Sequence, residues 1–180
     1  MKYPCCGTIK DNKSADFTAM EVVPFNELSQ VKKYRRLLID VYLSAYADIP
    51  EYAYTSRGDI WHYLNWLFRR SRGGFFAVFC DGHLGGFVGA DPEWLDLDQT
   101  KVGEIHELAI AREYQGRGVG SLLLARAVSF LAQWGHRRVG LWVGVNNHRA
   151  IEFYRRKGFV PGPVKGIWQR MYLDLSQVAQ

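Results

Sequence analysis

The chain has 180 residues and a formal net charge of +5, and 48% of its residues are hydrophobic. That length suits one domain with its own hydrophobic core. No apolar run approaches the roughly 18 residues of a membrane span, and the first residues, MKYPCCGTIKDNK, lack the apolar stretch of a signal peptide. We therefore expect a cytoplasmic protein that does not contact membranes.

The three cysteines exclude a disulfide framework, because an odd number cannot all pair within one chain. Cys5 and Cys6 are adjacent near the N-terminus, and Cys80 falls in a predicted strand, where a small buried thiol is common. No C-x-x-C pair or histidine spacing accompanies these cysteines. We therefore expect no metal site.

Hydrophobic periodicity and turn residues divide the chain into strands and helices. The expected strands are 17–24, 75–80, 84–90, 103–111, 138–145 and 167–175, and the expected helices are 26–46, 59–70, 119–134 and 147–157. Asp91-Pro92 is predicted to end the third strand, and Pro161-Gly162-Pro163 to form a turn. We expect a leader at 1–16, a single domain at 17–175 and a tail at 176–180.

The order of these elements predicts the fold class. One strand and two helices come first, an antiparallel hairpin follows, and strands then alternate with helices to the end of the chain. This succession is typical of an α+β (mixed α/β) fold, in which helices cover both faces of one sheet.

Three alternate glycines, Gly116, Gly118 and Gly120, lie between the strand at 103–111 and the helix that follows it. Glycines let the backbone approach a ligand closely, and the free N–H groups of a helix N-terminus attract anions. The P-loop pattern is excluded, because Ser121 and Leu122 follow the last glycine where Lys and Ser or Thr are required. The dinucleotide pattern G-x-G-x-x-G is also not met.

The loop at 115–120, QGRGVG, resembles the acyl-coenzyme A pyrophosphate loop of the GNAT superfamily of N-acetyltransferases. Downstream, NHRAIEFYRRKGF at 147–159 resembles the N-x-x-A-x-x-x-Y-x-x-x-G-F helix of the same family. The resemblance implies a mostly antiparallel, mixed sheet of about seven strands flanked by about four helices. It also implies a splayed pair of parallel strands, 104–110 and 138–145, that holds acetyl-CoA.

The resemblance also assigns the residues that contact the acetyl donor, acetyl-CoA. Backbone amides of Leu108 and Ile110 would bind the pantetheine arm, and the Leu108 N–H could stabilise the oxyanion of the attacked thioester. Asn147 would bind the cofactor, cap its helix, or do both. The full set of expected contacts is Leu108, Ala109, Ile110, Gln115, Gly116, Arg117, Gly118, Val119, Gly120, Ser121 and Asn147.

The expected catalytic residues are Tyr154, Glu104 and His106. By resemblance, Tyr154 protonates the departing thiolate, and Glu104 or His106 accepts a proton from the amine, directly or through water. Glu104 and His106 alternate along their strand, so both face the same way unless a bulge intervenes, as it often does in the family. The alternatives are a packing role for Tyr154 and a solvated strand face for the other two.

Acceptor binding is expected at Glu107, Tyr52 and Tyr54, the tyrosines by resemblance. The implied function is direct acetyl transfer to a primary amine in a ternary complex, and the acceptor is a small molecule or a protein. The alternative is a non-catalytic acyl-CoA-binding sensor. Basic residues crowd the last third of the chain and suit the phosphates of coenzyme A, so we expect no nucleic-acid partner. A homodimer is left open.

Overall fold

The computed structural model describes residues 19–176. The expected leader, Cys5 and Cys6, the start of the first predicted strand and most of the tail lie outside these residues. The strands are β1 (Met20–Pro24), β2 (Phe75–Cys80), β3 (His83–Leu95), β4 (Lys101–Ile110), β5 (Arg138–Gly144), β6 (Val160–Lys165) and β7 (Trp168–Asp174). They form one seven-stranded sheet in the order β1-β2-β3-β4-β5-β7-β6. Only β4 and β5 pair in parallel, which confirms the predicted fold class.

Five α-helices cover the two faces of this sheet. They are α1 (Leu28–Lys33), α2 (Arg35–Ala45), α3 (Arg57–Ser71), α4 (Val119–Gln133) and α5 (His148–Arg156), with 3₁₀ turns at Pro50–Tyr52 and Arg112–Tyr114. One core cluster joins α1, α2 and α3 to the sheet, and a second joins α4 and α5 to the other face. Between residues 19 and 176, no helix is long and apolar enough to cross a membrane.

The helix predicted at 26–46 is divided in two at Tyr34, whose backbone leaves the helical region at φ −96° and ψ 9°. The Tyr34 ring stacks on Phe25, with ring centres 5.5 Å apart, and meets the edge of Phe79 at 5.3 Å. Apolar periodicity continues through this position, so the division was not visible in the sequence. Packing of the aromatic ring here overrides a helical pattern.

Two predictions that rested on prolines were wrong, because Asp91-Pro92 was taken as a strand end and Pro161-Gly162-Pro163 as a turn. β3 continues through Asp91 and Pro92 to Leu95, and its register with β4 shifts between Asp91 and Trp94. β6 contains the proline pair predicted as a turn, and it lies at the sheet edge with its own register shift. Edges and bulges tolerate proline, because there the missing N–H leaves no ladder partner unpaired.

The strand pair β4–β5 positions the site. The two strands pair only from Gly103–Val139 to Ile105–Leu141, and both continue beyond that point without pairing to each other. Gly89 of β3 pairs with Glu107, and the next β3 residue pairs with Ile105, so His106 is an extra residue in β4. The bulge at His106 lies directly after Ile105, where the pairing of β4 with β5 ends. Beyond this point the gap between the two strands forms a cleft.

Candidate active site

A cleft of about 600 Å³ opens where β4 and β5 separate. We call its two ends the cofactor half and the acceptor half. The cofactor half consists of the glycine loop at 115–121 and residues of α5, and it carries His148, Arg149 and Arg156. The acceptor half consists of the segment 45–52 together with Glu107, Trp142 and Trp168.

The glycine loop has the geometry of a phosphate cradle. Gly116 and Gly118 take positive φ angles of +76° and +85°, where residues with a side chain are strained. A Cβ at Gly118 would meet nothing within 4 Å, so the loop surface is open there. Gly118 is also the N-cap of α4, and no side chain caps that helix. Its first N–H groups therefore suit the pyrophosphate of acetyl-CoA.

Gln115 ties the loop to its surroundings. Its amide nitrogen donates to the carbonyl oxygen of Ile110 at 3.0 Å, and its amide oxygen accepts from Nη1 of Arg149 at 2.7 Å. These two bonds join the end of β4 to the start of α5. Gln115 thus holds the guanidinium of Arg149, a residue not predicted for the site, beside the glycine loop.

Most of the predicted cofactor contacts line the cleft. They are Leu108, Ile110, Gln115, Gly116, Gly118, Gly120, Ser121 and Asn147. The side chains of Ala109 and Val119 instead belong to the two cores, and Arg117 donates to the Glu113 carbonyl oxygen. Asn147 accepts from the Ala150 N–H at 3.1 Å, which confirms it as the α5 N-cap, and its contact with the cofactor stays a prediction.

Glu107 is the buried carboxylate of the acceptor half, with 6% of its surface exposed. The Tyr46 hydroxyl donates to its Oε1 at 2.8 Å. The Tyr63 hydroxyl donates to the His106 carbonyl oxygen at 3.3 Å and lies beside the carboxylate. Burial disfavours the charged form and raises the pKa of Glu107 to about 7, although both tyrosines and the Leu108 N–H oppose the shift. Glu107 can therefore exchange a proton near neutral pH.

Tyr154 lies on α5 and lines the same cleft. The residue is 9% exposed, and its ring packs 5.6 Å from that of Phe159. Burial, and then the charge of Glu107, raise the pKa of Tyr154 well above its ordinary value. The phenol therefore keeps its proton across the neutral range, and its hydroxyl remains a donor. The tyrosine also packs in the core, so its two predicted roles are compatible.

The two predicted bases have other partners. Glu104 is 1% exposed, does not line the cleft, and bonds Nη1 of the fully buried Arg170 at 2.5 Å. Burial raises the pKa of Glu104, and the bond from Arg170 only partly offsets that effect. Arg170 in turn lies 5.2 Å from the Trp142 ring, so Glu104 supports a wall of the acceptor half. The predicted catalytic role of Glu104 is not tested by these contacts.

His106 is among the residues that line the cleft, and its ring packs between two aromatic side chains. Its Nε2 lies 3.1 Å from Oδ2 of the buried Asp91, and its ring meets Trp66 and Trp94 at 4.9 and 4.8 Å. The bulge explains this placement, because the extra residue shifts the alternation of β4 by one position. The catalytic role of His106 also stays a prediction.

The two tyrosines predicted for acceptor binding separate in the structure. Tyr52 lines the cleft and is 7% exposed, whereas Tyr54 is 51% exposed and does not line it. The Tyr54 N–H donates to the Tyr42 hydroxyl at 3.2 Å, so this residue anchors the connection between α2 and α3. Tyr46, Trp142 and Trp168 were not predicted, because they come from three separate elements and share no motif.

Comparison with known proteins agrees with the predicted family. Residues 34–159 match the Acetyltransferase (GNAT) family. The uncharacterized N-acetyltransferase MJ1207 of Methanocaldococcus jannaschii is 37% identical over 134 residues, which are 74% of this chain and 59% of that protein. An uncharacterized N-acetyltransferase of Archaeoglobus fulgidus is 37% identical over 117 residues, 64% of this chain and 80% of its own length.

Solved structures share the fold. The crystal structure of PH1933 from Pyrococcus horikoshii OT3 has a TM-score of 0.78 and 31% identity, covering 87% of this chain and 98% of that one. PaiA N-acetyltransferase from Thermoplasma acidophilum, solved with coenzyme A, has a TM-score of 0.67 and 19% identity over 87% and 99% of the two chains. This chain belongs to the GNAT acetyltransferase family, and its domain is that of an acetyl-CoA-dependent acyltransferase.

Proposed function

We propose that the protein transfers an acetyl group from acetyl-CoA directly to a primary amine, with Glu107 as the base and Tyr154 as the acid. The observation that carries this proposal is the buried Glu107 carboxylate with a pKa of about 7, which lines the same cleft as Tyr154 and the glycine loop. When bound, acetyl-CoA supplies the thioester carbonyl that the amine attacks.

Glu107 suits the base role because an alkyl ammonium has a pKa of about 10.4 and must lose a proton before its nitrogen can attack. A carboxylate with a pKa of about 7 is substantially ionised at neutral pH and is a stronger base than an ordinary glutamate. The Tyr46 hydroxyl holds one of its oxygens in place. Glu104 is a weaker candidate, because it does not line the cleft and its Oε1 is paired with Arg170.

Tyr154 suits the acid role by its position, because its protonated phenol lines the same cleft as Glu107. The raised pKa makes this phenol a weaker acid than an ordinary tyrosine, so its proton moves only as negative charge builds up on the leaving sulfur. In the proposed reaction Glu107 takes one proton from the ammonium and releases it to water, and the neutral nitrogen then attacks the thioester. The nitrogen–carbon bond forms, the carbon–sulfur bond breaks, the second nitrogen proton passes to Glu107, and the leaving sulfur takes the Tyr154 proton. Transfer of the proton on Glu107 to the Tyr154 phenolate through water restores both side chains, and the products are the amide, the thiol of coenzyme A and one proton.

Transfer through an acetylated Cys80, the one cysteine within residues 19–176, is disfavoured by its position. This thiol is 1% exposed and does not line the cleft, and burial raises its pKa, which opposes formation of a nucleophilic thiolate. Direct attack within a ternary complex needs no such group.

The test is amine-dependent release of coenzyme A. A panel of alkylamines, diamines, aminoglycosides, amino acids and blocked or free peptides is incubated with protein and acetyl-CoA, and free thiol is measured. We expect release that requires both protein and amine. A protein that binds acetyl-CoA but releases no thiol with any amine would instead be the non-catalytic sensor.

A further inference from the structure

The connection between α2 and α3 is fastened across the acceptor half by Tyr52. The Tyr52 hydroxyl accepts a hydrogen bond from the Asn146 N–H at 3.2 Å, just beyond the end of β5. Its ring meets the edge of Trp168, the first residue of β7, with ring centres 5.3 Å apart. The connection therefore contacts the opposite rim of the cleft, and no gap separates the two rims at this point.

Gly144 permits this contact. A Cβ at Gly144 would lie within 2.6 Å of three atoms of the Tyr52 ring, closer than real Cβ atoms approach. The ring thus rests directly on the β5 backbone. The segment leading to Tyr52 is also held from behind, because the Tyr42 hydroxyl of α2 accepts from the Tyr54 N–H.

The walls of the acceptor half are apolar, and its charges are acidic. Tyr46, Ile49, Tyr52, Trp142 and Trp168 form the walls. The carboxylates on this side are the buried Glu107 and the exposed Asp48, which pairs with Arg112 at 3.1 Å. The cations of the cleft lie at the cofactor half. An acceptor with its own carboxylate beside the amine would therefore approach like charges.

We propose that the acceptor is a primary amine at the end of an unbranched methylene chain, and that the Tyr52–Trp168 contact sets this limit. A methylene chain matches the apolar walls, and its terminal ammonium matches Glu107. A carbon branch next to the nitrogen must fit between Tyr46 and the Tyr52–Trp168 pair, where the rims already touch. This inference rests on the proposed acetyl transfer and names the acceptor class for it.

Two sources offer this chemistry, a free alkylamine or diamine and the side chain of lysine. The α-amino groups of peptide N-termini and free amino acids other than glycine belong to the disfavoured class, because the carbon that bears the nitrogen is branched. The shared requirement is the linear chain end. The two sources are separated by comparing 1,4-diaminobutane with a lysine peptide whose own N-terminus is blocked.

The test compares two isomers, n-butylamine and sec-butylamine, of which only the second carries a branch at the carbon that bears the nitrogen. We expect kcat/KM of the wild-type protein to favour n-butylamine at least about tenfold, since one misplaced methyl group in a shaped apolar site costs about that much. In Tyr52→Ala and Trp168→Ala the preference should fall to about threefold or less. Tyr52→Phe keeps the ring and should keep the preference.

Trp134→Ala is the matched control, because Trp134 is 49% exposed at the end of α4 and does not line the cleft. The wild-type preference should persist in this variant. Thermal melting verifies that each variant is folded. Because Tyr52→Ala and Trp168→Ala open the contact from opposite rims, the comparison can still be made if one of the two variants does not fold.

Several results would overturn the inference. Equal rates with the two isomers in the wild type, faster turnover of a free peptide N-terminus than of either linear source, or an unchanged preference in both opened variants would each do so. If no amine releases coenzyme A, the proposed acetyl transfer fails and the acceptor class falls with it. That outcome is distinct, because it leaves no rates to compare.

Discussion

The two halves of the cleft are built from different parts of the polypeptide. The cofactor half uses backbone: positive-φ glycines and the uncapped N-terminus of α4. The acceptor half uses long side chains, which come from α2, the 3₁₀ turn, β5 and β7. Backbone amides recognise a phosphate whatever the neighbouring side chains are, whereas side chains can be exchanged to fit another amine. One fold can thus keep its donor and change its acceptor.

The two halves of the cleft also differ in whether their charged groups are buried. The cofactor half leaves its cations exposed in water. The acceptor half buries Glu107 with tyrosine hydroxyls and no ion-pair partner among the described residues, and it holds Arg170 beneath Trp142 by pairing it with Glu104. A buried carboxylate without a cation is costly when charged. In the proposed mechanism we therefore assign reactivity to Glu107 and support to Glu104.

The largest expected effect concerns Tyr154, where the two halves meet. Tyr154→Phe keeps the ring in the core and removes the proton donor, so acetyl-CoA affinity should be unchanged. Acetyl transfer should fall roughly 10²–10⁴-fold, equal to about 3–5 kcal/mol. Single-turnover kinetics reports the chemical step even where product release limits steady-state turnover. A wild-type single-turnover rate would assign the tyrosine to packing alone.

The next effect separates Glu104 from Glu107 by stability. Glu104→Gln leaves Asp96, 3.2 Å away, as the one carboxylate paired with the buried Arg170, and should lower the free energy of unfolding by about 3 kcal/mol. Glu107→Gln should not lower it. Denaturant titration of both variants at about pH 8 makes the comparison, and equal losses would contradict the different roles assigned to the two glutamates.

The pH dependence of stability that Glu107 causes follows from its pKa, which burial raises from 4.5 to about 7 in the folded protein. The folded state holds this proton more tightly than the unfolded state. The resulting stability is complete below about pH 4.5 and is lost as pH rises through about 7, an amount of about 3 kcal/mol. Glutamine cannot ionise and avoids that loss, so Glu107→Gln should be more stable than the wild type at alkaline pH.

A smaller effect is expected from the glycine loop, where the chain offers a matched pair. Gly118 and Gly135 have φ angles of +85° and +84°, and a Cβ at either would meet nothing within 4 Å. Gly118→Glu brings a negative charge to the proposed phosphate site and should weaken acetyl-CoA binding about 100-fold or more. Gly135→Glu, beyond the other end of α4, should leave the affinity unchanged. Similar calorimetric affinities in the two variants would place the pyrophosphate elsewhere.

The cofactor half was predictable because its determinants are contiguous. Three alternate glycines before an apolar helix, and a second motif near Tyr154, are read directly from neighbouring residues. The antiparallel hairpin and both long helices α3 and α4 were also visible as periodic segments. Local patterns determine local backbone, and the phosphate cradle is local backbone.

The acceptor half was less predictable because it depends on tertiary contacts. The extra residue at His106 changes which β4 side chains face the cleft, and no local pattern marks that bulge. Tyr46 and Trp168 are separated by most of the chain, so only the folded sheet brings them together. Glu107 was expected to bind a substrate, and its raised pKa became apparent only once its burial was known.

The most direct test of the proposed mechanism is the pH dependence of single-turnover acetyl transfer in the wild type and in Glu107→Gln. A weakly basic primary amine such as trifluoroethylamine limits the titration of the acceptor itself. We expect the logarithm of the wild-type rate to rise with a slope of about one and to level off near the Glu107 pKa of about 7. Glu107→Gln should be about 100-fold slower or more and lack this break. A break near pH 7 that persists in Glu107→Gln at an undiminished rate would contradict the assignment of Glu107 as the base.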